Sequence, residues 1–275
     1  NINCVPFLSG SNLDDCYELS KKYENVKMIF IETPCNPLTT LTSVKEMVKL
    51  KNKISDETGN KVVLTVDNTF CGPVYLKPIE LGADLVVYSL TKFIGGHSDL
   101  VAGSVSGSID LIDQVRVTRT IFGTIPDPDT CWLIQRSLVT LKLRMEKQCL
   151  NAKKIVYYLN SHKNVKQIFY PGLGDEKQNE IFHDEYHDSG SIISFKVNGD
   201  KSTAFKILNK FKVFKLAVSL GSVESLIQHP SSMTHSDIPK DEQVTMGITE
   251  DLIRCSVGLE DSDDLIEDLK SALDY

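Results

Sequence analysis

The sequence predicts an α/β protein in two parts, a mostly parallel sheet within residues 1–140 and a smaller α/β region over residues 141–275. Three observations carry that expectation. The runs Lys27–Ile31, Val62–Val66 and Leu85–Tyr88 are short, nearly all apolar and rich in β-branched or aromatic residues, as parallel strands covered on both faces are. A helix is expected between the first two. Ser43 to Glu46 reads as a capping box, Val44, Met47 and Val48 share one face, and Gly59 follows as a stop. From Leu143 the pattern changes: Met145, Cys149, Ala152, Val156 and Leu159 recur at steps of three and four, so a long amphipathic helix leads into the second part.

There the strand-like runs Ile192–Val197, Val213–Val218 and Leu252–Val257 alternate with helical segments. The last helix carries Leu265, Leu269 and Ala272 on one face, and the acidic cluster Glu260–Asp264 suits its positively polarised N-terminus. No internal repeat, low-complexity tract or Pro-rich linker interrupts the chain.

At 275 residues the chain can bury one large core or two smaller ones. With 30 basic and 37 acidic residues it carries a formal charge of −7, which argues against phosphate backbones and anionic membranes as partners. A small molecule or another protein is expected instead. The 7 cysteines form no C-x-x-C pair, a usage that suits reduced thiols and a cytoplasmic location better than a disulfide framework or a zinc site. No apolar run approaches the roughly 18 residues that span a bilayer. The chain opens Asn1-Ile2-Asn3-Cys4, without Met or a charged-then-apolar leader and almost directly in a strand-like run, as a fragment lacking its beginning would.

In an open α/β sheet, ligands bind beyond the carboxyl ends of the strands. After the first run comes Glu32-Thr33-Pro34-Cys35-Asn36-Pro37, after the second Asp67-Asn68-Thr69, and after the third Ser89-Leu90-Thr91-Lys92. Taken singly, a strand-end Asp or Asn is more often a turn former, and a lone lysine is usually solvated. Together they supply what pyridoxal phosphate needs. Its aldehyde forms a Schiff base with a lysine, its pyridine nitrogen wants a carboxylate, its phosphate wants hydroxyl donors, and its ring hydroxyl can meet an amide.

At these residues the chain resembles the Cys/Met metabolism family of transsulfuration enzymes, the pyridoxal-phosphate-dependent relatives of cystathionine γ-lyase, cystathionine γ-synthase and methionine γ-lyase. The resemblance runs from Glu32–Pro37 through Val66–Thr69 and Tyr88–His97, then through Leu141–Met145, Ser219–Leu226 and His229–His235 to Arg254–Asp261. It implies a fold type I, aspartate aminotransferase-like architecture, with residues 1–140 as the C-terminal part of the large cofactor-binding domain and 141–275 as the small domain. It implies that Lys92 bonds to the cofactor and shuttles protons, that Asp67 holds the pyridinium charged, that Ser89 and Thr91 bind the phosphate, and that Asn36 meets the ring hydroxyl. Arg254 would grip the substrate carboxylate with both guanidinium donors, and Ser219 would help to position the lysine amine.

Within that family, Val218 is the most useful discriminator. Cystathionine-handling members generally carry Glu before S-L-G, where it can meet a second amino group. An apolar residue suits a short thioether, and the flanking segments look most like methionine γ-lyases. The expected reaction is α,γ-elimination of methionine or homocysteine to a thiol, 2-oxobutanoate and ammonia. A cystathionine γ-lyase, a cystathionine γ-synthase and an O-acylhomoserine sulfhydrylase use the same lysine and acid and stay open as alternatives. So does a truncated, non-catalytic paralogue that only pairs with full-length subunits. The resemblance also implies a homodimer or homotetramer with the active site at the subunit interface. It covers the C-terminal two thirds of such an enzyme. The ring-stacking Tyr and phosphate-binding Gly of the missing portion have no counterpart here, so this stretch alone is expected to bind cofactor poorly and turn over little.

Other signals read as structural. His183 and His187 stand four apart but lack a third ligand, and a solvated helix face is expected; no metal site is read in the sequence. Glu260–Asp264 lacks the Gly and terminal Glu of a calcium loop. His97, His229 and His235 are expected to be hydrogen-bonding residues of the scaffold, and Cys71 a small buried hydrophobe.

Overall fold

The computed structural model describes residues 2–274. After the short helix α1 (Leu13–Ser20), the three apolar runs become parallel strands β1 (Met28–Glu32), β2 (Val63–Asp67) and β3 (Leu85–Ser89). Each strand runs past its apolar stretch by one residue. The strands therefore end on Glu32, Asp67 and Ser89, polar groups delivered to one edge of the sheet. Between β1 and β2 lies α2 (Val44–Thr58), where the Ser43 hydroxyl accepts from the Glu46 amide at 3.1 Å and Gly59 turns the chain at φ 69°. Its buried face of Val44, Met47, Leu50 and Ile54 covers the sheet.

A short helix α3 (Gly72–Tyr75) precedes β3, and a fourth strand, β4 (Gly103–Gly107), pairs antiparallel with β3. The sequence G-S-V-S-G gives β4 no apolar signature because it is a half-exposed edge strand. The order is β1-β2-β3-β4. Helices α4 (Ile109–Phe122) and α5 (Pro128–Leu138) follow and leave Val117, Ile121, Phe122 and Trp132 exposed.

Helix α6 (Leu141–Asn160) is shared between the two cores. Its first turns bury Leu141, Met145 and Cys149 with the parallel sheet, and its last turns bury Ala152, Ile155, Val156 and Leu159 with the second sheet. That sheet has the order β5-β6-β9-β8-β7 and contains β5 (Val165–Phe169), β6 (Ile192–Val197), β7 (Lys215–Leu216), β8 (Leu226–Gln228) and β9 (Leu252–Ser256). Its helices are α7 (Glu176–Glu185), α8 (Lys201–Leu208), α9 (Lys240–Thr245) and α10 (Ser262–Leu273).

Two local expectations are corrected. Of the run Val213–Val218 only two residues form a strand, because the Lys212, Val213 and Phe214 amides are committed to the Asp268 carboxylate at 2.8–3.0 Å. His187 lies beyond the end of α7, so it shares no helix face with His183. In place of a histidine pair, α7 delivers Glu185, buried, to the start of α2. Its carboxylate accepts from the Ser43 hydroxyl and from the amides of Val44 at 2.8 Å and Lys45 at 3.2 Å, fastening the two halves together.

Candidate active site

Lys92 stands on a tight turn, Leu90–Ile94, immediately after β3, and its own backbone leaves helical geometry at φ −89°, ψ −126°. The turn is held from outside. Buried Arg144 donates from Nη1 to the Phe93 carbonyl at 2.7 Å and from Nη2 to the Ile94 and Ser137 carbonyls, each at 3.0 Å. Gly96 makes room for this guanidinium: a Cβ there would sit 2.0 Å from Arg144 Nη1, and its φ is +72°. On the other side Gly221 approaches so closely that a Cβ would fall 2.7 Å from the Phe93 amide nitrogen.

That approach brings the second half's loop to the lysine. Lys92 Nζ donates to Ser219 Oγ at 2.9 Å, and the carbonyl of Ser219 accepts from Arg254 Nη2 at 2.7 Å. Ser219 has φ +93°, a strained conformation for a residue with a Cβ, costing on the order of 1–3 kcal/mol. Burial of the amine, with the Arg254 charge adding to it, holds the Lys92 pKa below the ordinary lysine value.

Arg254, on β9, is 1% exposed, and burial lowers its pKa to about 10. Its Nη1 donates to Asn36 Oδ1 at 2.6 Å, and its Nε, buried, has no hydrogen-bond partner among the described residues. Asn36, read from the sequence as a ring-hydroxyl contact, is thus found holding the arginine. His235, 8% exposed, lies near both: burial and the Arg254 charge lower its pKa, while the Asn36 backbone opposes them.

Asp67 Oδ1 accepts from the Thr69 amide at 2.9 Å and the Thr69 hydroxyl at 2.6 Å. The same Thr69 oxygen accepts from the Ser89 amide at 3.0 Å, so one threonine ties the ends of β2 and β3. The Thr91 hydroxyl accepts from the Ala102 amide at 3.1 Å and lies 3.3 Å from its carbonyl. Val218, next to Ser219, is 55% exposed.

Two residues here escaped the sequence reading. Thr69 carries no signal until β2 and β3 lie side by side. Glu32 opens the very motif from which Asn36 was chosen; burial and the neighbouring Asp67 push its pKa up to about 7, against opposing effects of the Asn36 amide and Arg254. Apart from His235, the groups read as structural lie outside this arrangement. His229 bridges Ser232 Oγ at 2.7 Å and the Glu250 carbonyl at 2.8 Å, His97 is exposed, and the Cys71 thiol is buried with its pKa raised by that burial. Glu260 accepts from the Ser225 amide and hydroxyl, both at 2.7 Å, and Asp261 caps α10. No helix among the described residues is long and apolar enough to cross a membrane.

The chain and its fold are similar to those of known proteins. The chain is 41% identical over 272 residues to an L-methionine γ-lyase of Fusobacterium nucleatum subsp. polymorphum, covering 98% of this chain and 67% of the relative. It is 40% identical over 265 residues to the cystathionine γ-lyase of Saccharomyces cerevisiae, covering 95% and 66%. A crystal structure described as a cystathione gamma lyase from Micromonospora echinospora superimposes with a TM-score of 0.87 at 37% identity, over 94% of this chain and 67% of that one. A cystathionine gamma synthase from Xanthomonas oryzae pv. oryzae does so at 0.87 and 34%, over 95% and 65%. The chain thus spans about two thirds of the length of the relatives it matches. With residues 5–274 matching the family described as Cys/Met metabolism PLP-dependent enzyme, the chain belongs to that family of pyridoxal-phosphate enzymes.

Proposed function

We propose that the protein is a carbon–sulfur lyase that expels a thiol from the γ-carbon of methionine or homocysteine. Methionine and one water give methanethiol, 2-oxobutanoate and ammonia. The observation that carries the reading is the hydrogen-bonded row from Lys92 through Ser219 to Arg254 and Asn36, which aligns an amine with a buried cation.

The residues present fit pyridoxal phosphate. A partly desolvated lysine, a strand-end carboxylate oriented through one oxygen by Thr69, and a buried arginine with an unpartnered Nε form a donor set suited to a cofactor and an amino-acid carboxylate. When bound, the cofactor supplies an electron-withdrawing ring that stabilises negative charge at the substrate's reacting carbon. Lys92 would hold it covalently, Asp67 its pyridine nitrogen, Ser89 and Thr91 its phosphate, and Asn36 its ring hydroxyl.

Arg254 would bind the substrate carboxylate, with Ser219 and Asn36 fixing the guanidinium plane. Lys92 Nζ, once free, would take and return protons at carbon. Its lowered pKa supports that role because a larger share of the amine is then neutral and basic near pH 7. Val218 would border the substrate's thioether, and its apolar side chain supports methionine or homocysteine over a substrate with a second amino group. Exposed Val117, Ile121, Phe122 and Trp132 support an assembly of subunits.

Methionine, homocysteine and cystathionine are to be compared as substrates through 2-oxobutanoate release, alongside an O-acylhomoserine with a thiol. Faster elimination from methionine supports the proposal. Preference for cystathionine, or for thiol replacement on the ester, assigns one of the related activities instead.

A further inference from the structure

Helix α6 buries two stripes, and one of them is polar. Beside the apolar Met145, Cys149 and Ala152 stand Arg144, Gln148 and Asn151, each at most 5% exposed. Steps of four and three put these three on one face, spread along about 10 Å of the helix axis. Burying polar side chains on a core helix is unfavourable unless each finds a partner, and here the partners form a pattern. Arg144 donates to the carbonyls of Phe93 and Ile94, the two residues after Lys92. One turn on, Gln148 Nε2 donates to the Ser222 carbonyl at 2.7 Å, just beyond Ser219. A further turn on, Asn151 Nδ2 donates to the carbonyls of Gly258 at 3.1 Å and Glu260 at 2.8 Å, in the segment that leaves β9 after Arg254. One helix face thus holds backbone from the three segments that carry Lys92, Ser219 and Arg254.

We infer that Gln148 is a positioning residue for Ser219, the middle link of a polar stripe by which α6 sets the spacing of Lys92, Ser219 and Arg254. This inference rests on the roles given to those three under Proposed function. The segments are also laced to one another. The Val223 amide donates to the Gly96 carbonyl at 2.8 Å, and the Leu259 amide to the Val223 carbonyl at 2.8 Å. The loop after Ser219 is therefore the central one, and Gln148 is the member of the stripe that reaches it. Gln148 fixes that loop at the Ser222 carbonyl, while Ser256 Oγ accepts from the Gly221 amide at 2.8 Å. Ser219 itself keeps φ +93°, a conformation that persists only where its surroundings enforce it. No hydrogen bond among the described residues joins Gln148 to Lys92, Ser219 or Arg254, so its effect passes through the backbone of the loop. Removing its amide strands the buried Ser222 carbonyl and frees the loop to draw Ser219 away from Lys92.

Gln148→Met keeps the length of the side chain and removes the amide. Hydrogen exchange of the cofactor-free protein, read by mass spectrometry, tests the loop directly. In the wild type the Gly221 and Val223 amides should be protected. In Gln148→Met they should exchange about tenfold faster, with β6 unchanged. Kinetics of the cofactor-loaded protein test the consequence. In Gln148→Met kcat/KM should fall about tenfold, and the same substitution should cost nothing further in a Ser219→Ala background, because it acts through Ser219. Unprotected Gly221 and Val223 amides in the wild type overturn the inference without any variant. So do unchanged protection in Gln148→Met and an equal loss of kcat/KM in both backgrounds. A wild type that lacks lyase activity contradicts the assignments under Proposed function, and exchange alone then decides whether Gln148 holds the loop.

Discussion

Lys92 Nζ donates to Ser219 Oγ at 2.9 Å across 127 residues of sequence, and with the bond from Arg254 to Asn36 it joins the two halves of the chain at the site. Replacing Ser219 by Ala removes the acceptor and leaves the amine facing only the positive field of Arg254. A hydrogen bond to a charged group is worth about 1.5–3 kcal/mol, so kcat/KM should fall roughly 10- to 150-fold. Steady-state kinetics over a pH series checks this, and Ser219→Thr should restore part of the loss.

The desolvated lysine has a cost for the cofactor-free protein. A folded-state pKa below the ordinary lysine value means that the ammonium form is disfavoured on folding. The penalty is complete below the lowered pKa and vanishes as pH climbs to the unfolded value of about 10.5. Lys92→Met keeps the stem and removes the charge. It should therefore stabilise the cofactor-free protein at pH 7, with the difference shrinking toward pH 10.5, as read by urea denaturation at each pH.

Gly221 is a packing constraint at the site. Its φ of +77° and the mere 2.7 Å that would separate an added Cβ from the Phe93 nitrogen leave no space for Ala. Gly221→Ala should destabilise by at least about 1–3 kcal/mol and displace the lysine turn. Denaturation midpoints report the first effect, and loss of the cofactor's visible absorbance reports the second.

Far from the chemistry, Glu185→Ala should unfasten α7 from α2. The buried carboxylate satisfies two amides and a hydroxyl, so removing it should lower stability by about 2–4 kcal/mol. The KM for methionine should be unchanged at a temperature where the variant is folded.

The strand ends are legible because continuous apolar runs identify covered parallel strands and the residues just after them line a sheet edge. Hence Lys92, Asp67 and Asn36 stand out from sequence alone. Strand β4 does not, because an edge strand of Gly and Ser buries too little to leave a pattern. The long run at Val213–Val218 misleads for the opposite reason: it is apolar, but Asp268 takes the amides that a strand would need. Glu32 and Thr69 acquire their roles only from the register of neighbouring strands, and the bond from Arg254 to Asn36 spans 218 residues. No local spacing encodes such contacts.

Val218 bears on substrate choice. Val218→Glu should raise the ratio of kcat/KM for cystathionine to that for methionine, since a carboxylate beside Ser219 can meet a second amino group. A ratio unchanged in competition assays would remove Val218 as the discriminator.

The central claim is that Lys92 is the residue that carries pyridoxal phosphate. Incubation with the cofactor, borohydride reduction and peptide mass mapping test it directly. A pyridoxyl group on Lys92, absent in Lys92→Met while the far-UV circular dichroism is retained, is the predicted result. An unmodified Lys92 in protein that still releases methanethiol, or an adduct on a different lysine, would contradict it.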